Sequence, residues 1–283
     1  MRVTVEGVQL QVTDLGSGQV VLLLHGFPDS ARLWKDQIPA LVESGYRVLA
    51  PDLKGFGLSD KPQDVQLYAM PNLLTDVLGI LDQLHIRKVH CVVGHDWGAA
   101  LAWQLAGRFP DRFERLAALS VGHNASMFGM GGNKQREKSW YMLFFKFKGI
   151  SERALQRNDW ALLRQLWFAD DPQVATEYIA ELSRPGALTA ALNWYRANVQ
   201  LEQFGDTKPR PAPLLRCPVM GIWSCGDQGV LEAQMKASAR YVQDGMWRYH
   251  QIRNAGHWIP RDAPDELNHL LRDFLKSTSI SKL

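Results

Sequence analysis

The stretch Val89-His90-Cys91-Val92-Val93-Gly94-His95-Asp96-Trp97-Gly98-Ala99-Ala100-Leu101, running on through an alanine- and leucine-rich segment to Phe109 and Pro110, decides the fold. A short β-rich apolar run meets two glycines that bracket an aspartate, and a helical pattern follows that Pro110 stops. This is a strand, a sharp turn and a helix. The spacing Gly94-x-Asp96-x-Gly98 is that of a nucleophile elbow, in which the glycines leave room for a strained turn presenting one side chain at the helix N-terminus. An aspartate stands in the nucleophile's place. Taken alone, an aspartate capping a helix after a strand would be the commoner explanation, and the rest of the chain argues against it.

Outward from this segment, short β-rich runs recur with helical patterns between them: Val3–Val5, Leu10–Thr13, Val20–Leu24, Arg47–Ala50, Val89–Gly94, Leu116–Val121, Pro218–Trp223 and Trp247–Ile252. The first two are separated by a glycine-containing turn and predict an antiparallel pair. The later runs are almost wholly apolar, as strands covered by helices on both faces must be. The fold class is therefore α/β, with a mostly parallel eight-stranded sheet. Between the sixth and seventh runs the rhythm breaks, and residues 124–213 show only helical patterns rich in Trp, Phe and Arg. That insertion ends in Lys208-Pro209-Arg210-Pro211-Ala212-Pro213, a stiff connection suited to returning the chain from one unit to another. The expected organisation is a core of residues 1–123 and 214–283, with 124–213 forming a helical cap over the sheet's C-terminal edge.

The 283 residues suffice for one large domain with an insertion. A net charge of +3, with no basic block interleaved with aromatics, gives no reason to expect nucleic-acid binding. Cys91, Cys217 and Cys225 are odd in number and two lie in apolar runs, which points to reduced thiols. The N-terminus has no apolar leader and no run approaches membrane-spanning length, so a soluble, cytoplasmic protein is expected, as a monomer or homodimer. The final Ser281-Lys282-Leu283 matches a peroxisomal address, which would be read only in a eukaryotic host.

An aspartate with a pKa near ~4 is already ionised at neutral pH and needs no base to attack. Its natural target is a saturated carbon bearing a leaving group, because displacement there yields an ordinary ester. Hydrolysing that ester takes a base to activate water and an acid to orient the base. In this chain order the acid follows the nucleophile and the histidine comes last. Asp227 follows the seventh run in Trp223-Ser224-Cys225-Gly226-Asp227, and His257 follows the eighth in Asn254-Ala255-Gly256-His257-Trp258. After the third run, His25-Gly26-Phe27-Pro28 can offer the Phe27 N–H, and Trp97 offers a second beside the nucleophile. Together they would form an oxyanion hole. Phe27, Pro28, Trp97 and Trp258 are the residues expected to line an apolar substrate pocket.

With these residues in hand, the chain resembles the epoxide hydrolase family, the aspartate-nucleophile branch of the α/β-hydrolase superfamily that also contains the haloalkane dehalogenases. The segment Ala50-Pro51-Asp52-Leu53-Lys54-Gly55-Phe56-Gly57-Leu58-Ser59-Asp60-Lys61-Pro62 is similar to one these families share. The resemblance implies an α/β-hydrolase fold, a small lipophilic epoxide and water as reactants, and no cofactor or metal. It also implies two cap tyrosines that protonate the epoxide oxygen, since an opening ring leaves as a basic alkoxide whereas a halide does not. Leu192-Asn193-Trp194-Tyr195-Arg196 matches the signature of one of them, Tyr195, and Trp140-Tyr141-Met142-Leu143-Phe144-Phe145 points to Tyr141 for the other, with Tyr178 as its rival. Phe27 stands where one dehalogenase group carries a halide-binding Asn, and Asn124 where that group has a carboxylate. The competing functions are a haloalkane dehalogenase and a ligand-binding protein on the same fold.

Overall fold

A computed structural model describes residues 1–127, 129–169, 171–206 and 208–277. Each apolar run forms a strand: β1 (Arg2–Val5), β2 (Val8–Leu15), β3 (Val20–Leu24), β4 (Arg47–Pro51), β5 (Cys91–His95), β6 (Leu116–Leu119), β7 (Val219–Ser224) and β8 (Trp247–Ile252). They build one sheet in the order β1-β2-β4-β3-β5-β6-β7-β8. The pairs β1–β2 and β2–β4 are antiparallel and all the others parallel. Several boundaries differ from expectation by one or two residues, and two of them have a visible cause. Val89 contributes only an isolated bridge to Phe113 ahead of β5. β6 stops at Leu119 because Ser120 turns to φ 65°, which breaks the pleat.

β3, β5, β6 and β7 are buried along their whole length, and the edge strand β8 is largely half-exposed. The reason is coverage of the central strands by helices on both faces. These are α1 (Gln37–Glu43), α2 (Met70–Gln83) and α3 (Trp97–Arg108) before the insertion. Within it come α4 (Gly132–Lys138), α5 (Trp140–Phe144), α6 (Ile150–Trp167), α7 (Pro172–Leu182) and α8 (Ala187–Asn198). α9 (Glu232–Ala237), α10 (Ile259–Asp262) and α11 (Pro264–Lys276) complete the chain. α9 gives way to a tighter 3₁₀ turn at Ser238–Tyr241.

Among the described residues from 124 to 213 there are helices and turns and no strand. These helices are fastened to the loops at the C-terminal ends of the strands. The Trp194 indole donates to the Lys54 carbonyl at 2.9 Å. Asn198 accepts from the Met70 N–H at 2.7 Å and donates to the Tyr68 carbonyl at 2.8 Å. Lys54 is itself held by a buried ion pair with Asp76 at 2.9 Å. No helix among the described residues is long and apolar enough to cross a membrane. Ser281-Lys282-Leu283 lies outside the described residues.

Candidate active site

Asp96 follows the last residue of β5 and takes φ 53°, ψ −121°, a conformation L-residues rarely adopt. The surroundings hold it there. Its carbonyl accepts from the N–H groups of Ala99 and Ala100, each at 3.0 Å, which starts α3. A side chain on Gly98 would strike the carbonyls of Leu24 and His25, and one on Gly26 would strike the Asp96 carboxylate itself. The two glycines therefore let β3, β5 and α3 converge closely enough for the Phe27 N–H to donate to Asp96 Oδ1 at 2.8 Å. His25 secures that loop, its Nε2 accepting from Leu53 N–H and its Nδ1 bonded to the Gly26 carbonyl, both at 2.9 Å. Of the two oxyanion donors expected, Phe27 is in place. The Trp97 N–H makes no hydrogen bond to the carboxylate, whose Oδ2 is turned towards His257.

His257 Nε2 stands 3.6 Å from Asp96 Oδ2, and its Nδ1 is hydrogen-bonded to Asp227 Oδ2 at 2.9 Å. Asp227 is fixed in turn, since its Oδ1 accepts from the N–H groups of Gly229 and Val230, both at 2.8 Å. Burial would lower the basicity of His257, but the carboxylates of Asp227 and Asp96 outweigh it and push its pKa up to about 10. Burial of Asp96 is likewise outweighed, by the His257 imidazole first, and its carboxyl is held below the usual range. The resting site is thus one imidazolium between two carboxylates.

Tyr195 and Tyr141 lie over this group. The Tyr195 ring meets Phe27 edge-on at 5.6 Å and Trp97 at 5.1 Å, and Tyr141 meets Tyr195 at 5.9 Å. Burial first, then for both the nearby Asp96 charge among others, raises both phenols far above their ordinary pKa, so they stay protonated at neutral pH. Tyr178 is elsewhere: its hydroxyl donates to both oxygens of Asp29 at 3.0 Å.

Asp96 and Tyr141 sit where two cavities meet. One, about 220 Å³, is lined by Phe27, Tyr195, His257 and Trp258 together with Trp167 and Phe168. The other, about 710 Å³, is lined by Trp97 and further residues of α3. Pro28 is buried and lines neither of these cavities.

The match to the model for the alpha/beta hydrolase fold spans residues 19–264, most of the chain. The chain belongs to that family. Within it, the chain is 35% identical to the AB hydrolase superfamily protein YfhM of Bacillus subtilis (strain 168), over 97% of each chain. It is 31% identical to an epoxide hydrolase of Caballeronia sordidicola, over 97% of this chain and 93% of that one. Among solved structures, an epoxide hydrolase from Bacillus megaterium in complex with an inhibitor superposes with a TM-score of 0.86 at 26% identity, covering 98% of this chain and all of that one.

Residues that the motifs did not single out also shape this α/β-hydrolase site. The His257 carbonyl accepts from His95 Nε2 at 2.9 Å and from the Ser120 hydroxyl at 2.7 Å. Burial, then the charge of His257, pushes His95 down to about 4, so it is a neutral donor. The only sequence signal for His95 was its place beside the nucleophile, and for Ser120 there was none.

Proposed function

We propose that this chain hydrolyses lipophilic epoxides to vicinal diols through a hydroxyalkyl ester on Asp96. The observation that carries the reading is the pair of buried, protonated phenols, Tyr141 and Tyr195, over an ionised carboxylate that already faces its base. A halide needs no proton on leaving, whereas an opening epoxide does, and these tyrosines are the donors at hand. The names of the relatives agree with this chemistry.

In the first step an Asp96 carboxylate oxygen bonds to an epoxide carbon as the ring C–O bond breaks, and the ring oxygen takes a proton from a tyrosine. The imidazolium of His257 holds the proton that restores the phenol, leaving His257 neutral. In the second step His257 removes a proton from water, and the hydroxide attacks the ester carbonyl. The Phe27 N–H, and the Trp97 N–H once the carboxylate oxygen is rebuilt as an oxyanion, hold the negative charge; such donors contribute about 3 kcal/mol each. Collapse releases the diol and returns Asp96 as carboxylate and His257 as imidazolium, so protons balance over the cycle. Asp227 keeps Nδ1 protonated and the ring aimed at the ester. Residues 124–213 act as a cap that carries both tyrosines to the site and excludes bulk water. We place the protein in the cytoplasm, as a monomer or homodimer.

The test is a product assay on aryl and alkyl epoxides beside chloro- and bromoalkanes. Wild-type protein should form diols, Asp96→Asn none, and the Tyr141→Phe, Tyr195→Phe double variant should lose about 10²- to 10⁴-fold in rate. Halide without diol would make the chain a dehalogenase. Reversible binding with no turnover of either class would make it a binding protein.

A further inference from the structure

The larger cavity follows one face of α3. Trp97, Ala100, Trp103, Gln104, Gly107 and Arg108 recur at three- and four-residue intervals along its wall. Most of the remaining lining is apolar, including Val121, Met142, Leu215 and Val230. Its polar members include Asn124, Asn198, Gln203, Asp206 and Arg210, together with one buried ring beside Trp103. His123, 5% exposed, stacks on Tyr241 at 4.1 Å and meets Trp103 edge-on at 5.2 Å. Its Nδ1 accepts from the Ala125 N–H at 3.2 Å, so in the neutral ring the proton is on Nε2. Burial keeps the ring neutral, its pKa pushed down to about 4.

Nε2 has no hydrogen-bond partner among the described residues, nor is it among the atoms sealed off without one. His123 lines the cavity, and Nε2 is the ring nitrogen not already engaged by the Ala125 N–H. An acceptor on a molecule in the cavity would give this N–H a direct, fixed partner in place of water.

Two backbone rulers set the scale of the separation between Asp96 and His123. Trp103, which His123 touches, is seven residues along α3 from Asp96, about 10 Å at the helical rise. In the sheet His95 pairs with Leu119, so Asp96 is level with Ser120, and His123 lies three residues further, at most about 10 Å of extended chain.

We propose that His123 Nε2–H is a specificity donor, and that the preferred substrate is an epoxide whose longer arm carries a carbonyl, ether or hydroxyl oxygen about 10 Å from the reacting carbon. This rests on the reading of the chain as an epoxide hydrolase. The oxygen accepts from Nε2 while the methylenes between it and the ring lie along Trp97 and Ala100.

The test uses a straight-chain epoxide with a ketone about 10 Å from the ring and its all-methylene twin, together with the two corresponding diols as unreactive ligands. Two variants separate donor from scaffold. His123→Asn can keep an acceptor for the Ala125 N–H but has no group to reach the cavity, and His123→Gln can put an amide N–H where Nε2 was. Wild-type protein should favour the ketone about three- to tenfold in kcat/KM over the twin, and in Kd for the diols followed by tryptophan fluorescence. His123→Asn should lose that preference, so that ketone and twin are handled alike, and His123→Gln should recover part of it. Equal preference in wild type and His123→Asn, or no preference in wild type, overturns the proposal. If neither epoxide is turned over, the epoxide hydrolase reading fails, and the diol affinities still decide whether His123 selects for the oxygen.

Discussion

At the residue scale the controlling quantity is the charge on Asp96. While it is a carboxylate, it and Asp227 hold His257 up to about 10, well above the ordinary 6.5. Esterification removes one of those two charges, so the pKa of His257 must fall in the intermediate. The two steps then depend on pH in opposite senses. In the proposed mechanism ring opening uses an ionised Asp96 and a protonated His257, and both are present from the acid side of neutrality up to about pH 10. Ester hydrolysis needs His257 neutral, and its rate rises with pH up to the lowered pKa before levelling. Single-turnover tryptophan fluorescence should therefore show an alkylation rate flat from roughly pH 6 to pH 9, and a hydrolysis rate that climbs within that window. An alkylation rate that climbs as well would mean His257 must be neutral for the first step. That Asp96, Asp227 and His257 would come together was legible in the sequence, because each lies within a few residues after a strand-like run, and chain order suggests the proposed roles. The state of His257 was not, since it depends on how close two carboxylates, far apart in the chain, come to one ring.

At the element scale, the gap between the two tyrosines is set by how α5 and α8 are joined, and Arg196 ties α8 both to the end of α5 and to the start of α6. Its guanidinium pairs with Glu152 at 2.8 Å and donates to the Phe145 carbonyl at 3.0 Å and to the Ser151 hydroxyl at 3.1 Å. Phe145 is bonded back to the Tyr141 carbonyl at 2.9 Å. From the other side Lys146 Nζ donates to the carbonyls of Arg196 and Val199, both at 2.8 Å. Arg196 and Glu152 are only 5% and 12% exposed, so removing one partner strands a buried charge. Arg196→Met should cost about 3 kcal/mol in urea unfolding and reduce diol formation at least tenfold, because Tyr141 and Tyr195 lose their common anchor. Arg196→Lys should recover more of the stability than of the rate, as a point charge cannot replace the planar fork. Unchanged kinetics in folded Arg196→Met would show that the tyrosines are placed by ring packing alone. The motif Asn193-Trp194-Tyr195-Arg196 pointed to Tyr195 but not to the roles of its neighbours. Trp194 and Arg196 act through partners on other helices, and helical periodicity along one segment carries no record of them. The same limit left Tyr141 and Tyr178 as rivals in the sequence; in the structure Tyr178 is bonded to Asp29.

For the whole molecule, the sheet order brings the ends of β3, β5, β7 and β8 to one edge, and the inserted helices roof that edge to leave a site open to two unequal spaces. The strand pattern and the strandless interval were enough to foresee a sheet with a helical insertion. The two cavities were not foreseeable, because their walls combine α3, the loop after β6 and the proline-rich return at residues 210–213. A nucleophile at the junction of about 220 Å³ and about 710 Å³ should sort epoxides by the length of one arm. Ala100, on the α3 face one turn past Asp96, is where the larger space can be narrowed without touching a group that takes part in the chemistry. Ala100→Phe adds a ring there, and long-arm epoxides should then suffer a rise in KM of at least tenfold. Small epoxides that fit beside Phe27 and Trp258 should keep kcat/KM within about twofold, since the contacts of Asp96, His257 and Tyr195 are unaltered. The loss on long arms corresponds to at least about 1.4 kcal/mol of binding, within the cost typical of filling a space with an unaccommodated side chain. Equal losses for short and long epoxides would mean that α3 had shifted and carried Asp96 with it. Unchanged KM for long arms would mean that they occupy the smaller space, and would reverse the assignment of the two cavities.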